Sequence, residues 1–188
     1  LLYPKVYFLR AINERYINVH VSIIVPVYNA FLETRKCLES ILLAETPNTS
    51  VFVINDASSE AGFERLASEY ESDKFIFLEN TQNLGFSGTI NKGINYARNL
   101  RPDSDILILN SDTIVSRWWL KELKLVAKSS DEVGTVTAVS NAAGPFSVHT
   151  FSSPPSLSEI NVVADVLREN APLVSPPLPT GHGFCMYI

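Results

Sequence analysis

The sequence predicts an open α/β sheet that is mostly parallel and has helices on both faces. Short runs of consecutive apolar residues, rich in Val and Ile, occur at residues 21–27, 50–54 and 106–109. Strands that are buried on both faces have this composition. Segments with helical periodicity lie between these runs, as crossover connections between parallel strands require. The length of 188 residues is typical of one domain.

The predicted elements alternate along the chain. Residues 1–20 carry apolar side chains at helical spacing and are predicted to form an amphipathic helix, or the tail of a preceding domain. The sheet domain then covers residues 21–188. Its predicted strands lie at residues 21–27, 50–54, 75–78, 106–109, 133–139 and 184–188. Its predicted helices lie at residues 31–43, 61–70, 87–99, 118–128 and 156–169.

Serine residues mark three of the predicted helix starts. Ser58 or Ser59 is expected to cap the helix at residues 61–70, and Ser87 the helix that follows the third strand. Ser156 and Glu159 have the spacing of a capping box, in which each side chain binds the main-chain N–H of the other residue.

Composition and charge argue against several classes of protein. The net charge of −5 and the absence of a Lys/Arg run make nucleic acid a poor main partner. Cys37 and Cys185 are too few for a disulfide framework or a cysteine-based zinc site, so we expect buried thiols in a reducing compartment. The sequence has no apolar run of the roughly 20 residues that span a bilayer, and residues 1–5 do not begin a signal peptide. The expected location is the cytoplasm, peripheral to a membrane only through parts outside this chain.

Polar clusters follow four of the predicted strands at the point where each strand ends. They lie at residues 28–30, 55–58, 80–87 and 110–113. Asn, Asp, Ser and Gly favour turns, so any one cluster is also explained by ordinary turn chemistry. Because ligands of open α/β sheets bind at the carboxyl ends of the strands, four clusters at one edge predict a binding site there.

Motifs that the sequence lacks narrow the kind of site. It contains no G-x-G-x-x-G after the first strand, no G-x-x-x-x-G-K-[ST] and no G-x-S-x-G. These absences argue against a dinucleotide dehydrogenase, a P-loop NTPase and an α/β-hydrolase. A nucleotidyltransferase has a similar sheet but would carry a Gly-rich basic loop where this chain has Tyr28-Asn29-Ala30.

The polar clusters, with the strands before them, resemble a known family. The segment VSIIVPVYNA at residues 21–30 resembles the opening of the family 2 glycosyltransferases of the GT-A fold, which is a Rossmann-like sheet. NDAS at residues 55–58 and NLGFSGTINKG at residues 83–93 are similar to the second and third motifs of that family. Asn110-Ser111-Asp112 matches its variant of the DxD motif, and Thr180-Gly181 resembles the motif that leads into the acceptor half.

The resemblance implies that these motifs bind a nucleotide-sugar donor linked to UDP or dTDP. The residues expected near the nucleoside are Pro26, Val27, Tyr28, Asn29, Asp56, Asn83 and Gly85. The Tyr28 ring would pack near the base, and Asp56 would accept a hydrogen bond from an N–H of uracil or thymine. Two plainer interpretations stay open: Tyr28 as a rim aromatic without a ligand, and Asp56 as a helix cap.

The resemblance also implies a divalent metal ion at the fourth cluster. Asn110, Ser111 and Asp112 would lie at the diphosphate of the donor, and Asp112 would ligate Mg²⁺ or Mn²⁺, which prefer hard oxygen ligands. This motif has one carboxylate, and Asn110 can add a neutral oxygen. The literal D-x-D at residues 103–105 precedes the fourth strand, so we expect it at the opposite edge of the sheet, in a solvated turn.

The sequence does not assign a catalytic base within this chain. Inverting members of the family take a carboxylate from the acceptor half, after the Thr-Gly segment, so we expect the base beyond Ile188 in a longer protein. His182 is the candidate inside the chain, although a lone His beside Gly is more often structural. Asn91 and Lys92 are expected at a helix surface.

Two hypotheses of function follow. In the first, the chain is the donor-binding part of an inverting glycosyltransferase that acts on a glycan or lipid-linked acceptor in surface polysaccharide synthesis, with the acceptor half incomplete. In the second, it is a non-catalytic module that binds a nucleotide sugar or a glycan within a larger protein. The single carboxylate of residues 110–112 and the unassigned base fit the second hypothesis.

Overall fold

Six strands and five α-helices are found in residues 18–148, 151–170 and 176–188, which are the residues that the computed structural model describes. The strands are β1 (Val21–Val27), β2 (Thr49–Asn55), β3 (Phe75–Glu79), β4 (Asp105–Leu109), β5 (Val136–Thr137) and β6 (Cys185–Tyr187). The helices are α1 (Phe31–Leu43), α2 (Phe63–Tyr70), α3 (Gly85–Leu100), α4 (Trp119–Ala127) and α5 (Leu157–Asn170). Most of the helix predicted at residues 1–20 lies outside the described residues.

The strands form one sheet in the order β3-β2-β1-β4-β6-β5. The first four strands of the chain are parallel to one another. β6 runs antiparallel to β4, and β5 runs antiparallel to β6. One strand is therefore reversed within an otherwise parallel sheet, and the prediction of a mostly parallel open sheet is confirmed.

β1 is the central strand and all seven of its residues are buried. It pairs with β2 on one side and β4 on the other. Val21, Ile23, Val25 and Val27 belong to the core on the face of the sheet that α1, α2 and α4 cover. Ile24 belongs to a second core beneath α3. Because both faces of β1 are covered by helices, its sequence is a continuous apolar run rather than an alternating one.

Helix α3 approaches the sheet closely at Gly93. A β-carbon built on Gly93 would lie 2.4 Å from Cδ1 of Ile54 and 2.7 Å from Cγ2 of Ile24. Both isoleucines are fully buried. The glycine therefore sets how near α3 lies to β1 and β2, and with it the position of the residues at the start of the helix.

Two predictions about the last third of the chain have different outcomes. The strand predicted at residues 133–139 is reduced to Val136–Thr137, which pairs with β6 at the edge of the sheet. The capping box at α5 is confirmed: the main-chain N–H of Ser156 donates to Oε2 of Glu159 at 2.8 Å, and that of Glu159 donates to Oγ of Ser156 at 3.3 Å. In the described ranges no helix is long and apolar enough to cross a membrane.

The residues of the literal D-x-D lie at the amino end of β4, on the edge predicted for them. Asp105 is not in a solvated turn, which corrects that part of the prediction. Its Oδ2 accepts the Tyr187 hydroxyl at 2.6 Å and forms an ion pair with Lys128 at 2.9 Å. Burial, with the bond to Asp105, raises the pKa of the Tyr187 phenol. These contacts join β6 to β4, so Asp105 has a structural role in the sheet.

Candidate functional site

The carboxyl ends of β1, β2, β3 and β4 lie at one edge of the sheet, and the four predicted polar clusters lie there with them. Main-chain hydrogen bonds continue beyond the strands: Asp56 N–H donates to the Val27 carbonyl at 2.7 Å, and Asn80 N–H to the Asn55 carbonyl at 2.8 Å. Because β6 is reversed, the residues before it also reach this edge. The Asn110 N–H donates to the Phe184 carbonyl at 2.8 Å, so residues 180–184 adjoin the fourth cluster.

Asn29 joins the loop after β1 to the loop after β2. Asn29 and Ala30 both have left-handed backbone, with φ of 56° and 53°. The Asn29 main-chain N–H donates to Oγ of Ser58 at 2.8 Å, and its Oδ1 accepts from the main-chain N–H groups of Ser59 at 3.1 Å and Glu60 at 3.0 Å. The side chain of Asn29 thus fixes the geometry of both loops.

These bonds correct the predicted cap of α2. Ser58 and Ser59 contact the loop after β1, and α2 begins later, at Phe63, without a side-chain cap. Gly62 precedes it with φ of 141°, a backbone conformation that favours glycine.

The three residues expected to line a nucleobase pocket differ in exposure. Tyr28 is 54% exposed, at the start of the loop after β1. Pro26 is buried within β1. The Val27 side chain is fully buried in the core under α1, so Val27 contributes main chain to the edge. Of these three residues, Tyr28 is the one with an exposed side chain. Its ring is therefore the apolar surface that a ligand can contact.

Asp56 is 4% exposed and accepts two hydrogen bonds of 2.8 Å on its Oδ1 atom. One comes from Nδ2 of Asn80 and the other from the main-chain N–H of Leu84. Burial acts to raise the pKa of the Asp56 carboxyl, but the hydrogen bonds that it accepts outweigh burial and hold that pKa below its ordinary value. The largest contributions come from the bonds that Leu84 and Asn80 donate. Asp56 is therefore an anionic acceptor at neutral pH.

Asn80 is a buried site residue that the sequence analysis did not single out. Its Nδ2 donates to Oγ1 of Thr89 at 2.9 Å as well as to Asp56. Its Oδ1 accepts from Nζ of Lys92 at 2.6 Å, so Lys92 is more than the helix-surface residue that was expected. The signal available in the sequence was the position of Asn80 directly after the third strand, within a predicted polar cluster.

Asn83 and Gly85 are exposed at the amino end of α3. Oδ1 of Asn83 accepts from the main-chain N–H of Gly85 at 3.0 Å, and Gly85 has φ of 70°. Asn83 thus binds a free N–H at the helix start, which corrects the prediction that Ser87 caps this helix. Ser87 lies in the first turn of α3.

Asn110, Ser111 and Asp112 follow β4, and their polar atoms differ in exposure. Asp112 is exposed. Oδ1 of Asn110 is buried and has no hydrogen-bond partner among the described residues. A buried carbonyl oxygen left without a partner costs about 1–3 kcal/mol. Such an atom at a sheet edge is a candidate contact for a ligand, an ion or water.

The donor set at residues 110–112 fits a hard divalent cation. Within the part of the chain that the structure describes, no group of three or more His, Cys, Asp or Glu side chains could hold a metal ion. Residues 110–112 offer one carboxylate, from Asp112, and neutral side-chain oxygens from Asn110 and Ser111. Mg²⁺ and Mn²⁺ sites of this kind take their other ligands from substrate phosphates and water.

His182 lies among aromatic rings at the same edge. Its ring centroid is 5.6 Å from that of Phe146 and 5.6 Å from that of Phe184. Its main-chain N–H donates to Oγ1 of Thr137 at 2.9 Å. A β-carbon on Gly183 would lie 3.5 Å from the Phe86 ring of α3. His182 itself is exposed, so its role stays a prediction.

A mostly parallel sheet with polar loops at its carboxyl edge defines an α/β ligand-binding domain of the Rossmann-like class. The sequence profile of Glycosyl transferase family 2 matches residues 22–173. The chain belongs to this family, as the resemblance of its motifs predicted.

Two curated relatives are glycosyltransferases. The chain is 30% identical over 132 residues to glycosyltransferase GlyA of Streptococcus pneumoniae, an alignment that covers 69% of this chain and 18% of GlyA. It is 35% identical over 79 residues to the putative glycosyltransferase EpsH of Bacillus subtilis, covering 42% of this chain and 23% of EpsH. The alignments thus span about a fifth of the length of these relatives.

Solved structures with the same architecture include two that hold ligands. The mannosyltransferase PcManGT of Pyrobaculum calidifontis, in complex with GDP-Man and Mn²⁺, has a TM-score of 0.61 at 19% identity and covers 96% of this chain and 50% of its own. Residues 1–349 of S. aureus TarS, in complex with UDP-GlcNAc, have a TM-score of 0.52 at 20% identity and cover 73% and 38%. At these identities the likeness shows the fold, and the predicted GT-A architecture is confirmed.

Proposed function

We propose that this chain is the donor-binding domain of a glycosyltransferase that transfers a sugar from a nucleotide-diphospho-sugar to a glycan or lipid-linked acceptor. The observation that carries the proposal is the pair of carboxylates, Asp56 and Asp112, at one edge of a family 2 domain. They follow β2 and β4, which flank β1, so the ends of these strands are about 10 Å apart. A nucleoside diphosphate can span this separation, with its base near Asp56 and its phosphates near Asp112.

The base would be recognised by Asp56 and Tyr28. An anionic carboxylate accepts a hydrogen bond from the ring N–H of uracil, thymine or guanine. Cytosine and adenine present a ring nitrogen acceptor at the equivalent position, which a carboxylate repels. The exposed Tyr28 ring supplies a face for the base, and Asn83 and Gly85 lie at the helix start where the ribose would pass. We favour a UDP- or dTDP-linked donor.

The diphosphate would be bound at Asn110, Ser111 and Asp112 through Mg²⁺ or Mn²⁺. The motif contributes the exposed Asp112 carboxylate, the buried, unpaired Oδ1 of Asn110 and the Ser111 hydroxyl. When bound, the cation would offset the negative charge that develops on the departing diphosphate. This role matters in a chain whose net charge is −5.

The transfer itself would be an attack by an acceptor hydroxyl on the anomeric carbon of the donor. The bond from that carbon to the diphosphate oxygen breaks, and the hydroxyl proton passes to a base. We assign that base to the acceptor half of the full protein and propose inversion at the anomeric carbon. A cytoplasmic enzyme of surface polysaccharide synthesis is the setting that we propose.

Calorimetric titration of the protein with UDP and dTDP, with and without Mn²⁺, tests the donor site. We expect binding that Mn²⁺ strengthens and that Asp112→Ala weakens about tenfold or more, because the metal loses its one carboxylate ligand. Asp56→Ala should weaken binding both with and without metal. Asp131→Ala, at an exposed aspartate, is the control and should bind as the wild type does.

Two outcomes would contradict parts of this proposal. Binding that ignores Mn²⁺ would remove the metal role from Asp112 and leave the base pocket standing. Absence of nucleotide binding by a folded wild-type protein would contradict the donor-binding function. The second candidate, a non-catalytic nucleotide-sugar module, is favoured by the single carboxylate at residues 110–112. It predicts donor binding without sugar transfer by the full-length protein.

A further inference from the structure

We propose that Asn80 and Lys92 are positioning residues that hold Asp56 as a fixed acceptor, and that they make the base pocket selective for bases with a ring N–H. This inference rests on the donor-binding function proposed above. It extends the base pocket to two residues, one of them on the outer surface of a helix.

The three residues form a continuous chain of short hydrogen bonds, which we call the relay: Lys92, Asn80 and Asp56. Nζ of Lys92 donates to Oδ1 of Asn80 at 2.6 Å, and Nδ2 of Asn80 donates to Oδ1 of Asp56 at 2.8 Å. The residues belong to three parts of the fold, since Asp56 follows β2, Asn80 follows β3 and Lys92 lies on α3. Lys92 is also held by the Glu79 carbonyl, to which its Nζ donates at 3.2 Å.

The charges at the two ends of the relay determine which way the Asn80 amide points. An ammonium group can only donate hydrogen bonds, and an ionised carboxylate can only accept them. If the amide were reversed, two donors would face each other at Lys92 and two acceptors would face each other at Asp56. Asn80 is 3% exposed, so water cannot readily replace these partners, and an unpaired group there is costly.

The relay leaves Asp56 little freedom to turn. The bond from Asn80 and the bond from the Leu84 main chain both end on Oδ1 at 2.8 Å. Networks of this kind, when every member is paired, are rigid. A carboxylate that is fixed and kept ionised can accept from a ring N–H but cannot donate to a ring nitrogen. Selectivity for the base therefore depends on the residues that fix it.

A purely structural role for Asn80 and Lys92 makes a different prediction. If the relay only ties the loops after β2 and β3 to α3, a substitution should lower the melting temperature and weaken every nucleotide by the same factor. If the relay positions Asp56, the ratio of affinities between bases should change. The two roles are separated by this ratio, which compares nucleotides that share the same ribose and diphosphate.

The experiment measures dissociation constants for UDP, GDP, CDP and ADP in the presence of Mn²⁺ by calorimetry. The proteins are the wild type, Lys92→Met, Lys92→Arg, Asn80→Asp and the control Arg98→Met, which removes an exposed cation from the same helix. The melting temperature of each is recorded. Among the bases with a ring N–H, the one that binds most tightly should be preferred over cytosine by about tenfold or more in the wild type. Cytosine offers the buried Asp56 carboxylate no ring N–H, and an unpaired buried polar group weakens binding by about this factor.

In Lys92→Met and Asn80→Asp this preference should fall about fivefold or more. Lys92→Met removes the group that orients the Asn80 amide, and Asn80→Asp removes the amide that donates to Asp56. Lys92→Arg should retain the preference, since arginine can also donate to the Asn80 oxygen, and Arg98→Met should not change it. Asn80→Asp has nearly the size of the native side chain and answers the same question if Lys92→Met does not fold.

Each other outcome overturns a specific statement. A folded Lys92→Met and a folded Asn80→Asp that keep the wild-type ratio would show that the relay is structural, and the inference would be wrong while the donor site stands. If the wild type binds all four nucleotides with equal affinity, the inference is likewise wrong and the donor site still stands. If the wild type binds none of the four nucleotides, the proposed function fails and this inference fails with it.

Discussion

The Asp56 carboxylate accepts hydrogen bonds from the Asn80 side chain and the Leu84 main chain, at 2.8 Å each. Folding alone therefore favours the ionised form of this carboxylate, before any ligand arrives. The pKa of Asp56 is lowered in the folded state because these bonds outweigh the effect of burial. A group with a lowered pKa stabilises the folded state above its unfolded pKa, which is about 3.9 for aspartate. That stabilisation is lost as the pH falls through the folded pKa.

The substitution Asp56→Asn should lower the free energy of unfolding by about 1–3 kcal/mol at pH 7, because an amide cannot accept both bonds as well as a carboxylate does. The difference from the wild type should shrink as the pH is lowered below about 4, where the wild-type carboxyl also becomes neutral. Urea unfolding followed by tryptophan fluorescence at a series of pH values measures this. Asp131→Asn, at an exposed site, should differ little from the wild type at any pH. A difference for Asp56→Asn that stays constant down to pH 3 would contradict the assignment.

At the scale of elements, the position of α3 governs the site, because its first residues contact Asp56 and its outer face carries Lys92. The helix approaches β1 and β2 at Gly93, where a β-carbon would meet Ile54 at 2.4 Å and Ile24 at 2.7 Å. These contacts are with fully buried side chains in a close-packed core, so the neighbours have little room to move.

Gly93→Ala should therefore destabilise the protein by about 1–3 kcal/mol through overpacking, although alanine favours a helix by about 1 kcal/mol over glycine. Gly134→Ala is the matched control, since a β-carbon there would have no atom within 4 Å. Thermal unfolding of the three proteins tests this. Equal melting temperatures for Gly93→Ala and the wild type would show that the packing cost is no larger than the gain in helix propensity, about 1 kcal/mol.

Elements whose partners are nearby in sequence were predictable, and those fixed by distant residues were not. The bounds of β1 and α1 agree with the prediction because a continuous apolar run and a helical period determine them locally. The caps at Ser58 and Ser87 were wrong because Asn29, 29 positions from Ser58, binds that hydroxyl, and Asn83 binds at the start of α3. The strand predicted at residues 133–139 is short because its pairing with β6 involves Val136 and Thr137, a contact between distant parts of the chain.

The candidate site was predictable to the level of its loops. The four polar clusters meet at one edge because parallel strands bring their carboxyl ends together. The relay was not predictable, because Asn80 and Lys92 are 12 positions apart and Asn80 and Asp56 are 24 apart. No periodicity relates such positions. Their contact depends on how β3 and α3 lie against β2, which only the folded chain defines.

At the scale of the whole molecule, apolar cores on both faces of the sheet hold the described strands and helices together, so we expect the fold to be independent of metal. EDTA alone should leave the melting temperature unchanged. UDP with Mn²⁺ at 100 times its dissociation constant should stabilise the folded state by about 2.7 kcal/mol, or about 5–10 °C for a chain of this size. Adding EDTA should reverse most of that increase. A melting temperature that falls with EDTA in the absence of nucleotide would point to a structural ion.

The reversed strand β6 has a consequence for how the chain is synthesised. β1 to β4 can assemble once residues up to Leu109 have emerged, but the free side of β4 is covered only by Cys185–Tyr187. Tyr187 lies 82 positions after Asp105, its hydrogen-bond partner at the start of β4. At a translation rate of about 5–20 residues per second, the edge of β4 stays uncovered for several seconds. During that interval an apolar strand with unpaired main-chain groups is open to other nascent chains, so the yield of folded protein should depend on chaperones that shield this edge.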